Sequence, residues 1–181
     1  VKGHLACRTV SSHGEVQGQP GEIDILDLEN LDLGKIQVGQ VSPEAGRASM
    51  EWVLKAAELC QTGQAQAVVT APINKAATRL AGYKDVGHME VLQRLSKAKE
   101  VATMLMSGRL RTVHLTTHRS LRRACDYVTK DGILSKLVLT QDSFATWGMP
   151  NPRIGVAALN PHGSDGGLLG DEEAQEIGPA V

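Results

Sequence analysis

Ile154-Gly155-Val156-Ala157-Ala158-Leu159, running into Asn160-Pro161-His162-Gly163-Ser164-Asp165-Gly166-Gly167, is the stretch on which the fold turns. The first half is apolar without interruption, as in a β-strand covered on both faces. Pro161 has no N–H to give to a ladder, so the strand must stop there. A histidine follows at the strand's carboxyl end, then glycines and short polar side chains. Such a sequence lets backbone approach a ligand closely and leaves an imidazole free to bind one.

Other runs repeat this arrangement. Ile23-Asp24-Ile25-Leu26-Asp27-Leu28 reads as a short strand, and so do Ala65 to Thr70, Val101 to Met106, and Leu110 to Thr117. Helical stretches alternate with them. Ser42-Pro43-Glu44 is a helix start, with a capping hydroxyl, proline in the first turn and an acid facing the helix dipole. Ala45, Ala48, Trp52, Ala56 and Leu59 follow at helical spacing and predict one buried stripe, with Gly63 as its stop. Asn74 and Lys75 open a short helix that ends at Gly82. Gly87-His88-Met89-Glu90 opens another, running to about Lys97. A basic helix follows His118, with Arg119, Arg122 and Arg123 on a solvated face. Thr129 caps a longer helix in which Ile133, Leu137 and Phe144 share a side, and Asp171-Glu172-Glu173 begin a last one. Alternating apolar strands and helices predict an α/β fold, a mostly parallel sheet flanked by helices. Residues 1–22 carry little periodic signal and are expected to be an irregular N-terminal segment, with His4 and His13 in solvent; residues 23–181 form the α/β part.

Composition narrows the function classes. With 181 residues the chain can bury one good core. A net charge of −1 and 3% aromatic residues argue against a nucleic-acid surface, which needs basic excess and stacking rings. No apolar run approaches a membrane span and no signal-peptide pattern opens the sequence, so a cytoplasmic location is expected. Cys7, Cys60 and Cys125 are scattered and read as reduced thiols.

Three polar clusters, Thr70 to Lys75, Thr116 to His118 and Asn160 to Gly167, each follow directly on an expected strand. Ligands of open α/β sheets bind outside the carboxyl ends of the strands, so the three share one edge. His118 and His162 at equivalent strand ends are candidate metal ligands, because imidazole is the commonest one. A catalytic zinc usually takes three protein ligands, and the third must come from another chain or another segment. His114 lies about 13 Å up the strand from His118 at ~3.3 Å per residue, and is read as a core or surface histidine. Lys75 is a candidate cation beside an anionic substrate. No GxGxxG, P-loop or GxSxG pattern is present.

The motifs Thr70-Ala71-Pro72-Ile73-Asn74-Lys75, Gly87-His88-Met89-Glu90, Thr116-Thr117-His118 with Leu121-Arg122, and Leu159-Asn160-Pro161-His162 through Glu173 resemble those of the PdxA family. These are the 4-hydroxythreonine-4-phosphate dehydrogenases of pyridoxal phosphate biosynthesis and their relatives. The resemblance implies a fold like that of isocitrate and isopropylmalate dehydrogenases, which bind NAD or NADP without the Rossmann glycines. It also implies a homodimer with the active site at its interface. A divalent metal (Zn, Mg or Co) would be held by three histidines, two of them matching His118 and His162. The family's substrate-contacting pair falls on His88 and Met89. Met89 stands where the family usually has threonine, Ser120 where proline is common, and Gly163-Ser164-Asp165 departs from the usual run.

The activity implied is metal-dependent, NAD(P)-linked oxidation of the hydroxyl of 4-phosphohydroxy-L-threonine, followed by decarboxylation. The alternatives are the same chemistry on a phosphorylated threonate or erythronate or an aromatic cis-dihydrodiol, and a non-catalytic metal-binding or dimerisation module. Family members extend beyond both ends of this sequence and carry the third histidine there, so these 181 residues alone are expected to lack turnover.

Overall fold

The computed structural model describes residues 5–85 and 87–181. The chain divides into two compact units, one ending at Ala98 and the other beginning at Lys99.

In the first unit, strand β1 (Ala6–Val10) pairs in parallel with β2 (Glu22–Leu26), Ala6 opposite Glu22 and Val10 opposite Leu26. The expected irregular segment 1–22 therefore contains a strand. Its weak alternation is offset by polar contacts that fix the connection. Asp24 accepts from the amides of Gln17 and Gly18 at 2.9 and 3.0 Å and is bound by the Arg8 guanidinium. These contacts hold the Asp24 carboxyl below its ordinary pKa, the Gly18 and Gln17 amides contributing most and Arg8 adding to them.

Helix α1 (Pro43–Gln61) starts as its sequence dictates, with the Ser42 hydroxyl accepting from the Ala45 amide at 3.1 Å. Its buried face is turned relative to expectation. Gly46, Ala48, Met50, Val53 and Ala57 are buried, while Trp52 is 46% exposed and donates its indole N–H to Asn30. Gly46 explains the rotation. A Cβ there would lie 2.1 Å from the Ala77 carbonyl oxygen, so only glycine lets α1 meet helix α2 (Lys75–Leu80) backbone to backbone. That contact, not the widest side chain, selects the face. Helix α3 (His88–Ser96) adds Val91 to Met50 and Val53, with Ile73, Tyr83 and Leu95 around them. Gln61 donates to the Leu95 carbonyl at 2.7 Å. The run 65–70, expected as a strand, joins no ladder among the described residues.

In the second unit, β3 (Met104–Ser107) and β4 (Leu110–Val113) form an antiparallel hairpin, Met104 opposite Val113 and Ser107 opposite Leu110. Two apolar runs read as members of a parallel sheet are thus joined by a two-residue loop. Gly108 has φ +55° at its first position, where tight hairpins demand a glycine. Helix α4 (Leu121–Cys125) is capped by Ser120. Helix α5 (Lys130–Thr146) is capped by the Thr129 hydroxyl, 3.2 Å from the Gly132 amide. It buries Ile133 and Phe144 on the anticipated side. A π-helical turn (Glu173–Ile177) and the short helix α6 (Gly178–Ala180) bring Ile177 and Ala180 onto Ile133. Leu115 and Val156 pack against this core from their two runs. The run 154–159 is unpaired, so the mostly parallel sheet is not formed among the described residues, where one ladder is parallel and one antiparallel.

Candidate functional site

In the first unit, two helix starts converge. The Asn74 side chain accepts from the Ala77 amide at 3.1 Å and begins α2, so Lys75 is its first residue. Gly87 is the N-cap of α3, which places His88, Met89 and Glu90 in its first turn. The lysine stem crosses that turn. A Cβ at Gly87 would stand 3.2 Å from Lys75 Cε and 2.5 Å from Glu90 Oε2. The structure thus brings the Lys75 stem against Gly87, the N-cap of the turn that carries His88 and Met89. Lys75 is exposed. His88 is half-buried, and its Nε2 is shielded from solvent without a hydrogen-bond partner. An unsatisfied buried nitrogen costs about 1–3 kcal/mol, and a ligand offering a donor or acceptor there would recover it.

In the second unit, His118 and His162 are both exposed. His118 has φ +55°, a left-handed backbone uncommon outside glycine, just ahead of the α4 cap. His162 follows an Asx turn in which its amide donates to the Asn160 side chain at 2.9 Å. Gly163, Ser164, Asp165, Gly166 and Gly167 then all have positive φ. Ser164 and Asp165 have no glycine's freedom there, and residues held in such regions cluster at functional sites. The glycines of this loop serve a left-handed turn.

In the sequence Glu173 is simply an acid at a helix start. Its Oε1 accepts from the Leu159 amide at 2.9 Å, tying the foot of the histidine loop to the π-turn, while its Oε2 is buried and unpartnered. A π-turn often marks functional sites, but no sequence signal announces this one. A cavity of about 1350 Å³ is lined by Thr116 on one run and Leu159 on the other. His118 and His162 follow these residues closely, so their two segments border one space. Among the described residues no three His, Cys, Asp or Glu side chains are grouped to hold a metal ion. His114, half-buried, lines the same cavity with Nδ1 unpartnered.

These motifs lie in a recognisable family context. Residues 3–181 match the family of the pyridoxal phosphate biosynthetic protein PdxA. The chain belongs to the PdxA family. A Clostridium botulinum protein, provisionally named D-threonate 4-phosphate dehydrogenase, is 37% identical over 161 residues, covering 89% of this chain and 48% of its own length. A Symbiobacterium thermophilum protein with the same provisional name is 37% identical over 177 residues, 98% of this chain and 53% of that one. The crystal structure of the 4-hydroxythreonine-4-phosphate dehydrogenase of Klebsiella pneumoniae superposes with a TM-score of 0.89 at 33% identity, covering 98% of this chain and 54% of its own. The chain therefore spans about half the length of the relatives it matches. No helix among the described residues is long and apolar enough to cross a membrane.

Proposed function

We propose that these residues form part of a dehydrogenase that oxidises a secondary hydroxyl of a small phosphorylated hydroxy acid, with NAD or NADP as hydride acceptor. The carrying observation is the buried His88 Nε2, which has no hydrogen-bond partner among the described residues, in a helix turn whose N-cap Gly87 is approached by the Lys75 stem, inside a chain that belongs to the PdxA family. His88 would orient the substrate through that nitrogen, and the Lys75 ammonium would hold an anionic group of it by charge. His118 and His162, exposed at the ends of runs that border one cavity, fit as part of the ligand set of a divalent cation such as zinc, magnesium or cobalt. A third donor would come from outside these residues. When bound, that cation supplies Lewis acidity that eases loss of the hydroxyl proton. The cofactor carries the hydride chemistry, and the chain's part is orientation and exclusion of water. A homodimer with the site at its interface is part of the same proposal.

Between the substrates, a phosphorylated threonate is favoured over 4-phosphohydroxy-L-threonine on two grounds. Met89 is half-buried in the first turn of α3 and can neither donate nor accept a strong hydrogen bond. The relatives provisionally named for D-threonate 4-phosphate point the same way. A panel of both substrates and an aromatic cis-dihydrodiol, read by NADH and NADPH absorbance with the full-length protein, decides it. Turnover of the threonate above the others is expected. Absence of reduction with every substrate overturns the assignment.

A further inference from the structure

The π-turn at Glu173–Ile177 carries two acids that both reach the backbone of distant segments. Glu173 Oε1 accepts from the Leu159 amide at 2.9 Å, three residues ahead of His162. Glu176 Oε2 accepts from the amide of Lys130, the first residue of α5. These bonds span 14 and 46 residues of sequence, so they join segments instead of finishing a turn. Glu173 is half-buried with its Oε2 shielded from solvent, so its carboxyl is fitted into the structure.

Each segment so held leads to a candidate histidine. Beyond Leu159 the chain enters a loop closed on itself. The His162 amide donates to the Asn160 side chain, the Gly163 amide to the Asn160 carbonyl and the Asp165 amide to the His162 carbonyl. The loop's shape is internal, and its placement depends on how its foot is held. On the other side, α4 follows His118 and α5 follows α4. The Arg119 guanidinium lies over the Tyr127 ring at 4.0 Å, fastening the neighbour of His118 to the corner between those helices. Val128, at that corner, packs against the core to which the π-turn contributes Ile177. We propose, on the reading of His118 and His162 as ligands of one cation, that Glu173 and Glu176 are positioning residues. From a single π-turn they fix the His162 loop relative to the corner that carries His118. Groups that orient a ligand without touching the ion change metal affinity about 10–100-fold.

The test takes the full-length protein and Glu173→Ala, Glu173→Gln and Glu176→Ala. Zinc affinity is measured by calorimetry, and amide exchange at 159–165 is followed in metal-free protein. Glu173→Ala should weaken zinc about tenfold or more and quicken exchange across the loop. Glu173→Gln should stay close to wild type in both, because its amide oxygen can still accept from Leu159. Glu176→Ala should weaken zinc severalfold. Should Glu173→Ala fail to fold, Glu173→Met, which keeps bulk and loses the accepting oxygen, takes its place. Zinc affinity unchanged in both alanine variants overturns the proposal, and the two acids are then structural only. A loss in Glu173→Gln as deep as in Glu173→Ala overturns it as well, because the carboxylate itself would then be a ligand. Zinc binding indifferent to His118→Ala and His162→Ala instead overturns the ligand reading. In that case the hold of Glu173 on the loop stands if exchange at 159–165 quickens in its alanine variant, and falls if it does not.

Discussion

The unit ending at Ala98 and the unit beginning at Lys99 close their cores in different ways. Besides the β1–β2 ladder, the first is built on helices, whose backbones pair largely within each helix, and on one glycine contact that brings α1 against α2. Met50 and Val91 are fully buried there, at 0% and 1% exposure. The second unit relies on apolar runs of strand character, and a strand satisfies only part of its backbone by itself. Its core of Ile133, Ile177 and Ala180 is closed on one side, while Leu115 and Val156 pack from runs that border an open cavity. Helical structure can be finished locally, whereas sheet structure waits for partners from elsewhere. The candidate histidines of the second unit closely follow Thr116 and Leu159, which line that cavity.

The sharpest way to break this contrast is Gly46→Ala. Its Cβ would sit 2.1 Å from a backbone oxygen that cannot move without shifting α2. A loss of about 3 kcal/mol or more in urea unfolding is expected, at the upper end for overpacking. Next comes a matched pair of truncations. Met50→Ala should cost about 2–5 kcal/mol as a buried cavity is created. Leu137→Ala, on the wall of an existing cavity, should cost distinctly less. Equal losses would mean the second core is closed after all. A smaller effect is expected from Asn74→Ala, which removes the cap of α2 and with it about 1 kcal/mol. In the full-length protein it should also raise KM more than it lowers kcat, because it disturbs where Lys75 begins.

The smallest effect concerns pH. Asp24 has a depressed pKa in the fold, so its contribution is fully present above the unfolded value near 3.8 and is lost as pH falls through the folded pKa. Asp24→Asn should therefore flatten the acid limb of the stability profile and leave its neutral shape unchanged. Thermal melts across mildly to strongly acidic pH would show it.

What the sequence made legible follows the same division. Caps are local chemistry, and Ser42 and Thr129 cap where their side chains suggest. Asn74, expected inside its helix, is the cap of α2, and Ser120 caps α4 so that Arg119, expected in that helix, lies outside it. Gly87-His88-Met89-Glu90 likewise begins a helix as read. The buried face of α1 was not legible from spacing, because Trp52 outweighs Gly46 in any hydrophobic pattern although Gly46 makes the close contact. Apolar runs were legible as runs, but their pairing was not. Gly108, at the first place of a two-residue loop, is the local cue to the hairpin. The Lys75 stem reaches Gly87, ahead of His88, because the helix capped by Asn74 and the helix that opens at Gly87 start side by side. Glu173 escaped notice because its partner is the backbone of Leu159, and a backbone partner leaves no trace in residue types.

The central functional claim is that His118 and His162 serve one cation. Zinc titration by calorimetry of the wild-type chain, His118→Ala, His162→Ala and the double variant addresses it directly. One ion per chain is expected, with each single substitution weakening binding at least about tenfold, the scale at which even outer-shell partners act. The double variant should then lose little more than either single one. Equal affinity in all four proteins, or losses that simply add as for two separate sites, would contradict a shared ion.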